Sequence, residues 1–63
     1  MALRVDEWRR LKKISKEEMA QKLGVHRNTI TNWEANPSII PIEKAYMMAN
    51  IYEVELNDII FLP

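Results

Sequence analysis

The sequence contains no cysteine, a single glycine and a single histidine. Without cysteine, neither a disulfide framework nor a thiolate zinc cluster can brace the fold, and one histidine with no acid cluster beside it cannot complete a metal site. A lone glycine leaves no glycine-rich loop to cradle a phosphate. Ser15 and Ser38 have no paired base, and no pair of acids stands out, so the nucleophilic, acid–base and metal arrangements that catalysis needs are all missing. The reading is a chain that is no enzyme and takes no metal and no cofactor. The longest uninterrupted apolar run, Ala45 to Ala49, falls far short of the roughly 18 residues of a membrane span, and charge appears too early in the chain for a secretion signal. No membrane partner and a cytoplasmic location are therefore expected.

An excess of charge of either sign is also lacking, since nine Lys and Arg balance nine Asp and Glu. The balance conceals a division. Residues 1–33 carry eight Lys or Arg against four acids, whereas residues 34–63 carry only Lys44 against five. One half is thus +4 and the other −4, as suits a molecule with one face toward phosphate and the other toward solvent or a partner.

With 63 residues there is room for one domain, 1–63, and 48% apolar content must hold it together through helix packing. Val5, Trp8 and Leu11 predict an inward stripe on a first helix from about Val5 to Lys12. Ser15 followed by Glu18 reads as a capping box, with Ile14 as its staple, and starts a second helix at Lys16 that ends near Leu23. A third helix runs from about Arg27 to Ala35, capped by His26 or its neighbour and stopped by Asn36-Pro37. Residues 36–40 form a loop. Pro41 opens a fourth helix with Ile42, Ala45, Tyr46, Met48, Ala49 and Tyr52 on its apolar face. A short fifth helix spans roughly Leu56 to Phe61. No strand-like alternation is present, so the expected class is all-α, a compact domain of five helices.

Residues 16–35 are the most informative stretch. Met19 with Leu23, and Ile30 with Trp33, each lie on one helix face, and the helical period breaks between the pairs. Gly24 stands at the break, where ending a helix calls for positive φ, and Val25 turns back toward the core. Ala20 is small, as a close helix crossing requires. Two short helices joined by a sharp turn follow from these positions.

Arg9 six residues before Ser15, Met19-Ala20-x-x-Leu23-Gly24-Val25, Ile30-x-x-Trp33-Glu34 and Met48-Ala49-x-x-Tyr52-x-Val54-x-Leu56 together make nearly the whole chain resemble the Cro and lambda-repressor-like helix-turn-helix family of phage and bacterial transcriptional regulators. The resemblance implies a lambda-repressor-like domain whose third helix reads the DNA major groove. It also implies a structural ion pair of Arg9 with Glu34 that orients this helix. Positions 13, 36 and 53, often glycine in the family, are Lys13, Asn36 and Glu53, so the helix ends there are open to a different construction.

With Ile30 and Trp33 inward, Arg27, Asn28, Thr31 and Asn32 share the outward face, and all four can hydrogen-bond base edges. Arginine suits guanine and asparagine suits adenine. Ser15, Lys16, Gln21, His26 and Asn36 are the candidate phosphate ligands around the start of the second helix, with Arg10, Lys12, Lys13 and Lys22 either adding attraction at longer range or, Lys12 and Lys13 above all, simply solvated. The loop Pro37-Ser38-Ile39-Ile40-Pro41 carries no cation, and Ile39 and Ile40 either pack beneath Trp33, the favoured reading, or face another protomer. Ile59, Ile60 and Phe61 either meet a second protomer or close the core. The expected function is a sequence-specific double-stranded DNA-binding regulator, a phage-type repressor binding its operator as a homodimer because one helix reads too few base pairs. The alternative is a protein-interaction module, such as an antirepressor or antitoxin-like partner, that binds through the acidic half.

Overall fold

The computed structural model describes residues 1–62. A two-residue strand β1 (Leu3–Arg4) leads directly into α1 (Val5–Leu11), followed by α2 (Lys16–Leu23), α3 (Arg27–Ala35), a 3-10 turn at Pro37–Ile39, α4 (Ile42–Tyr52), a second 3-10 turn at Leu56–Asp58 and a strand β2 (Ile59–Ile60). No helix among the described residues is long and apolar enough to cross a membrane.

Three helices end the same way. After α1, Lys13 N–H donates to Arg10 C=O and Ile14 N–H to Arg9 C=O; Gly24 and Val25 repeat the pattern after α2, and Glu53 and Val54 after α4. This pair of hydrogen bonds closes the last turn only if its first donor residue is left-handed. Lys13, Gly24 and Glu53 have φ of 57, 68 and 61°. Side chains at two of these positions carry a strain that glycine avoids. Asn36 differs, with φ −140°, because α3 passes straight into the turn at Pro37.

The start signals are equally local. Ser15 Oγ accepts from Glu18 N–H at 3.0 Å, and His26 Nδ1 accepts from Asn28 N–H at 3.1 Å. Pro41 occupies the cap before α4, where its missing N–H costs nothing. Lys44, in the first turn of α4, reaches across to donate to Leu23 C=O at 2.8 Å, placing a cation at the negative end of α2.

Val5, Trp8, Met19, Ala20, Leu23, Ile30, Trp33, Met48, Ala49, Tyr52 and Ile59 form the core. Two sequence expectations about it are corrected. Leu11 is 54% exposed, and Arg9 at 9% takes the inward place beside Val5 and Trp8. At about 100° per residue, Arg9 falls within about 40° of Val5, whereas Leu11 lies about 120° away and the short helix turns it outward. Ile39, at the end of its 3-10 turn, is also exposed; only Ile40 of that pair packs against the core.

The fifth helix is absent from the described residues. Residues 56–58 make a single 3-10 turn, closed by Asp58 Oδ2 accepting from Glu55 N–H at 3.1 Å, and the chain then extends. Leu3 pairs with Ile59 and Arg4 with Ile60 in a parallel two-stranded ladder. Trp8 Nε1 donates to Asp58 C=O at 2.8 Å and fixes the turn against α1. The two β-branched isoleucines favour this extended state over helix. The described residues are mostly helical, with four α-helices where five helices were expected.

Candidate nucleic-acid interface

α2 and α3 are joined by Gly24, Val25 and His26, and the left-handed Gly24 sends the chain across α2 rather than along it. Ala20, buried at the crossing, has no bulk to hold the helices apart. Ile30 and Trp33 on one side of α3 are buried. Arg27, Asn28, Thr31 and Asn32 on the other side are all exposed.

That outward face is tied to the first two residues of α2. Lys16 Nζ lies 3.4 Å from Thr31 Oγ1, and Glu17 Oε2 lies 2.9 Å from Arg27 Nε. Glu17 is a member of the face that sequence reasoning missed. Its partner lies ten residues away through a turn, so no helical spacing could connect the two; only the crossing of α2 and α3 does.

The five candidate phosphate ligands fall in two groups. Ser15, Lys16, Gln21 and His26 lie on α2 or at the caps of α2 and α3, and all but the half-buried Lys16 are exposed. The Ser15 hydroxyl is committed to capping α2 and His26 Nδ1 to capping α3, which leaves Nε2 as the ring nitrogen not used by the cap. Asn36 lies at the far end of α3, half-buried, with Oδ1 accepting from Ser38 Oγ at 2.7 Å.

Charge at the rim is partly neutralised. Asp6 lies 3.2 Å from Arg10 and 3.5 Å from Arg4, so the basic face of α1 is weaker than its composition implies. Among the described residues Lys12, Lys13 and Lys22 form no such pair.

Beneath α3, Arg9 Nε donates to Glu34 Oε2 at 2.6 Å, and Nη1 donates to Ile14 C=O at 3.0 Å. The hydrogen bond to Glu34 raises the Arg9 pKa above its ordinary value, against the opposing effect of burial. Tyr52 is buried beside this pair, and its hydroxyl has no partner among the described residues. Burial pushes the Tyr52 pKa well above the usual tyrosine range, and the Glu34 carboxylate adds to the shift.

Away from α3, a groove of about 670 Å³ is lined by Pro37, Ile40, Ile42, Ala45, Leu56 and Phe61, among others. Ile42 and Tyr46 stand exposed on α4, and Ile60 is partly exposed on β2. Ile59, grouped with Ile60 and Phe61 in the sequence as a candidate protomer contact, is 5% exposed and belongs to the core.

Comparison with known proteins agrees with this geometry. Residues 5–59 match the model of the Helix-turn-helix family. Among curated proteins, the chain is similar to the uncharacterized HTH-type transcriptional regulator YobD of Bacillus subtilis (strain 168), at 27% identity over 59 residues, covering 94% of this chain and 53% of that protein. The chain thus spans about half the length of the curated relative it matches. No solved structure matches. A family model covering nearly all of a chain whose α2, left-handed Gly24 and α3 make the two-helix motif settles its membership: the chain belongs to the Helix-turn-helix family.

Proposed function

We propose that this domain binds double-stranded DNA in a sequence-specific manner and serves a transcriptional regulator, with α3 lying in the major groove. The observation that carries this reading is the two-sidedness of α3. Arg27, Asn28, Thr31 and Asn32 are all exposed while Ile30 and Trp33 hold the opposite side in the core. Arginine and asparagine can read guanine and adenine edges in two-point contacts, each giving about 1–3 kcal/mol of discrimination. The start of α2 supplies free backbone N–H groups and Lys16 for phosphate, with Ser15, Gln21 and His26 around it. Asn36 holds the backbone at the other end of α3. The relative's description as a transcriptional regulator supports the same reading.

The regulator acts as a phage-type repressor in the cytoplasm, occluding a promoter by occupying its operator. It binds as a homodimer on a two-fold site, since one α3 spans too few base pairs to select a single locus. The protomer contact is assigned to Ile60 and Phe61 beside the apolar groove, with Ile59 confined to the fold.

A second reading, a protein-interaction module working through the acidic half, draws support from the pairing of Asp6 with Arg4 and Arg10 and from the loop at residues 37–41, which has no cation. Selection of bound duplexes from a randomised pool, followed by titration of Arg27→Ala and Asn28→Ala on the selected site, decides between them. The DNA reading expects both variants to lose selected-site affinity by about tenfold or more while melting as the wild type does. Failure to enrich any duplex, at low salt as at high, supports the module instead.

A further inference from the structure

The pairing of Arg27 with Glu17 contributes little to holding the fold together. The two side chains are 50% and 66% exposed, and exposed ion pairs contribute little to stability. Glu17 is also a poor choice where DNA is to be bound. It occupies the second position of α2, the place at which an incoming phosphate would meet the free N–H groups of the helix. A carboxylate there repels every duplex alike.

Its value lies in where it touches Arg27. The contact is made at Nε, the inner nitrogen of the guanidinium, which leaves the two terminal nitrogens as a parallel pair of donors. That pair matches guanine O6 and N7. A carboxylate gripping Nε removes much of the rotational freedom that a long arginine side chain would otherwise lose on docking. Lys16 and Thr31 repeat the arrangement one turn along α3, so both leading residues of α2 restrain side chains of the outward face.

We propose that Glu17 is a specificity-determining residue: held against Arg27 Nε, it aims the guanidinium at a guanine, while its charge lowers the affinity for every duplex. The inference rests on the major-groove reading of α3. It accounts for an acid placed at the phosphate-facing end of α2, and it gives affinity and selectivity opposite dependences on one side chain.

The test is Glu17→Gln, which preserves size and removes charge, in wild-type and Arg27→Ala backgrounds. Binding is measured on the duplex selected by the wild-type protein, on each single-base variant of it and on random duplex. Glu17→Gln is expected to tighten random-duplex binding by about twofold to fivefold through lost repulsion. It is also expected to relax discrimination at one guanine position by about threefold to tenfold. In the Arg27→Ala background the gain on random duplex persists and the loss of discrimination disappears. Equal tightening on all duplexes, or a loss of discrimination that persists without Arg27, overturns the proposal and leaves α3 reading the groove unaided. If the wild-type protein selects no duplex, the major-groove reading falls first and this inference with it, a result distinct from either of the others.

Discussion

Arg9 Nε and Glu34 Oε2 are 2.6 Å apart, with side chains only 11% and 9% exposed, so a charged bridge fastens α1 to the last turn of α3. A second donor of the same guanidinium holds Ile14 C=O, and through it the turn that precedes α2. Three elements of the domain are therefore set by one side chain. Loss of either partner leaves the other charge poorly solvated.

Arg9→Ala is expected to destabilise the domain by about 3 kcal/mol, the size typical of breaking a desolvated pair. A chain this small unfolds with a low entropy, so the midpoint falls by more than about 10 °C. Thermal melts followed by circular dichroism measure this. A double-mutant cycle with Glu34→Gln isolates the coupling, and additivity of the two losses would remove the bridge from the account.

Tyr52→Phe is expected to be neutral or stabilising at pH 7, by up to about 1 kcal/mol, because the hydroxyl it removes is buried without a partner. The same variant carries a pH signature. Burial raises the Tyr52 pKa in the folded protein, whereas the unfolded chain ionises near pH 10. The contribution is thus fully present below pH 10 and is lost as pH rises toward the folded value, since only the unfolded state gives up its proton there. Urea melts at pH 9 and pH 11 should show a fall in stability about 1.4 kcal/mol smaller in Tyr52→Phe than in the wild type.

Glu53→Gly and Lys13→Gly should each stabilise by about 0.5–1 kcal/mol, since both positions hold a left-handed backbone that only glycine adopts without strain. Gly24→Ala should cost about 1–2 kcal/mol through the same backbone term alone, because a Cβ at Gly24 would meet nothing within 4 Å. Denaturant midpoints of the three variants check the set, and a stabilised Gly24→Ala would refute it.

Ile60→Glu is expected to cost about 1 kcal/mol of stability, since Ile60 is a paired strand residue only partly exposed, and to abolish pairing of protomers on a two-fold site. Sedimentation of the protein with a full-site and a half-site duplex reads the outcome. Two protomers still bound to the full site as one unit would exclude this contact.

Legibility in the sequence followed the range of the interactions. The limits of α2 and α3 were readable because their signals are local: Ser15 caps three residues ahead, Gly24 stops a helix, and Asn36-Pro37 ends another. Strain at Lys13 and Glu53 was foreseeable only through the family resemblance, and Asn36, judged by the same comparison, turned out to have an ordinary φ. Leu11 misled because hydrophobicity at i+6 imitates a stripe that a helix of seven residues does not keep. The strands and the Glu17–Arg27 contact were invisible for one reason: two-residue strands have no alternation to detect, and each of these features depends on segments distant in sequence meeting in space.

The pairing of Leu3 with Ile59 and of Arg4 with Ile60 makes the backbone a ring fastened by a clasp. Its two halves come from opposite margins of the described chain, so closing it costs more chain entropy than the local contact of α2 with α3. A nick or deletion at either margin is therefore felt at the opposite one, and joining the margins by a short tether should speed closure without disturbing the exposed side of α3.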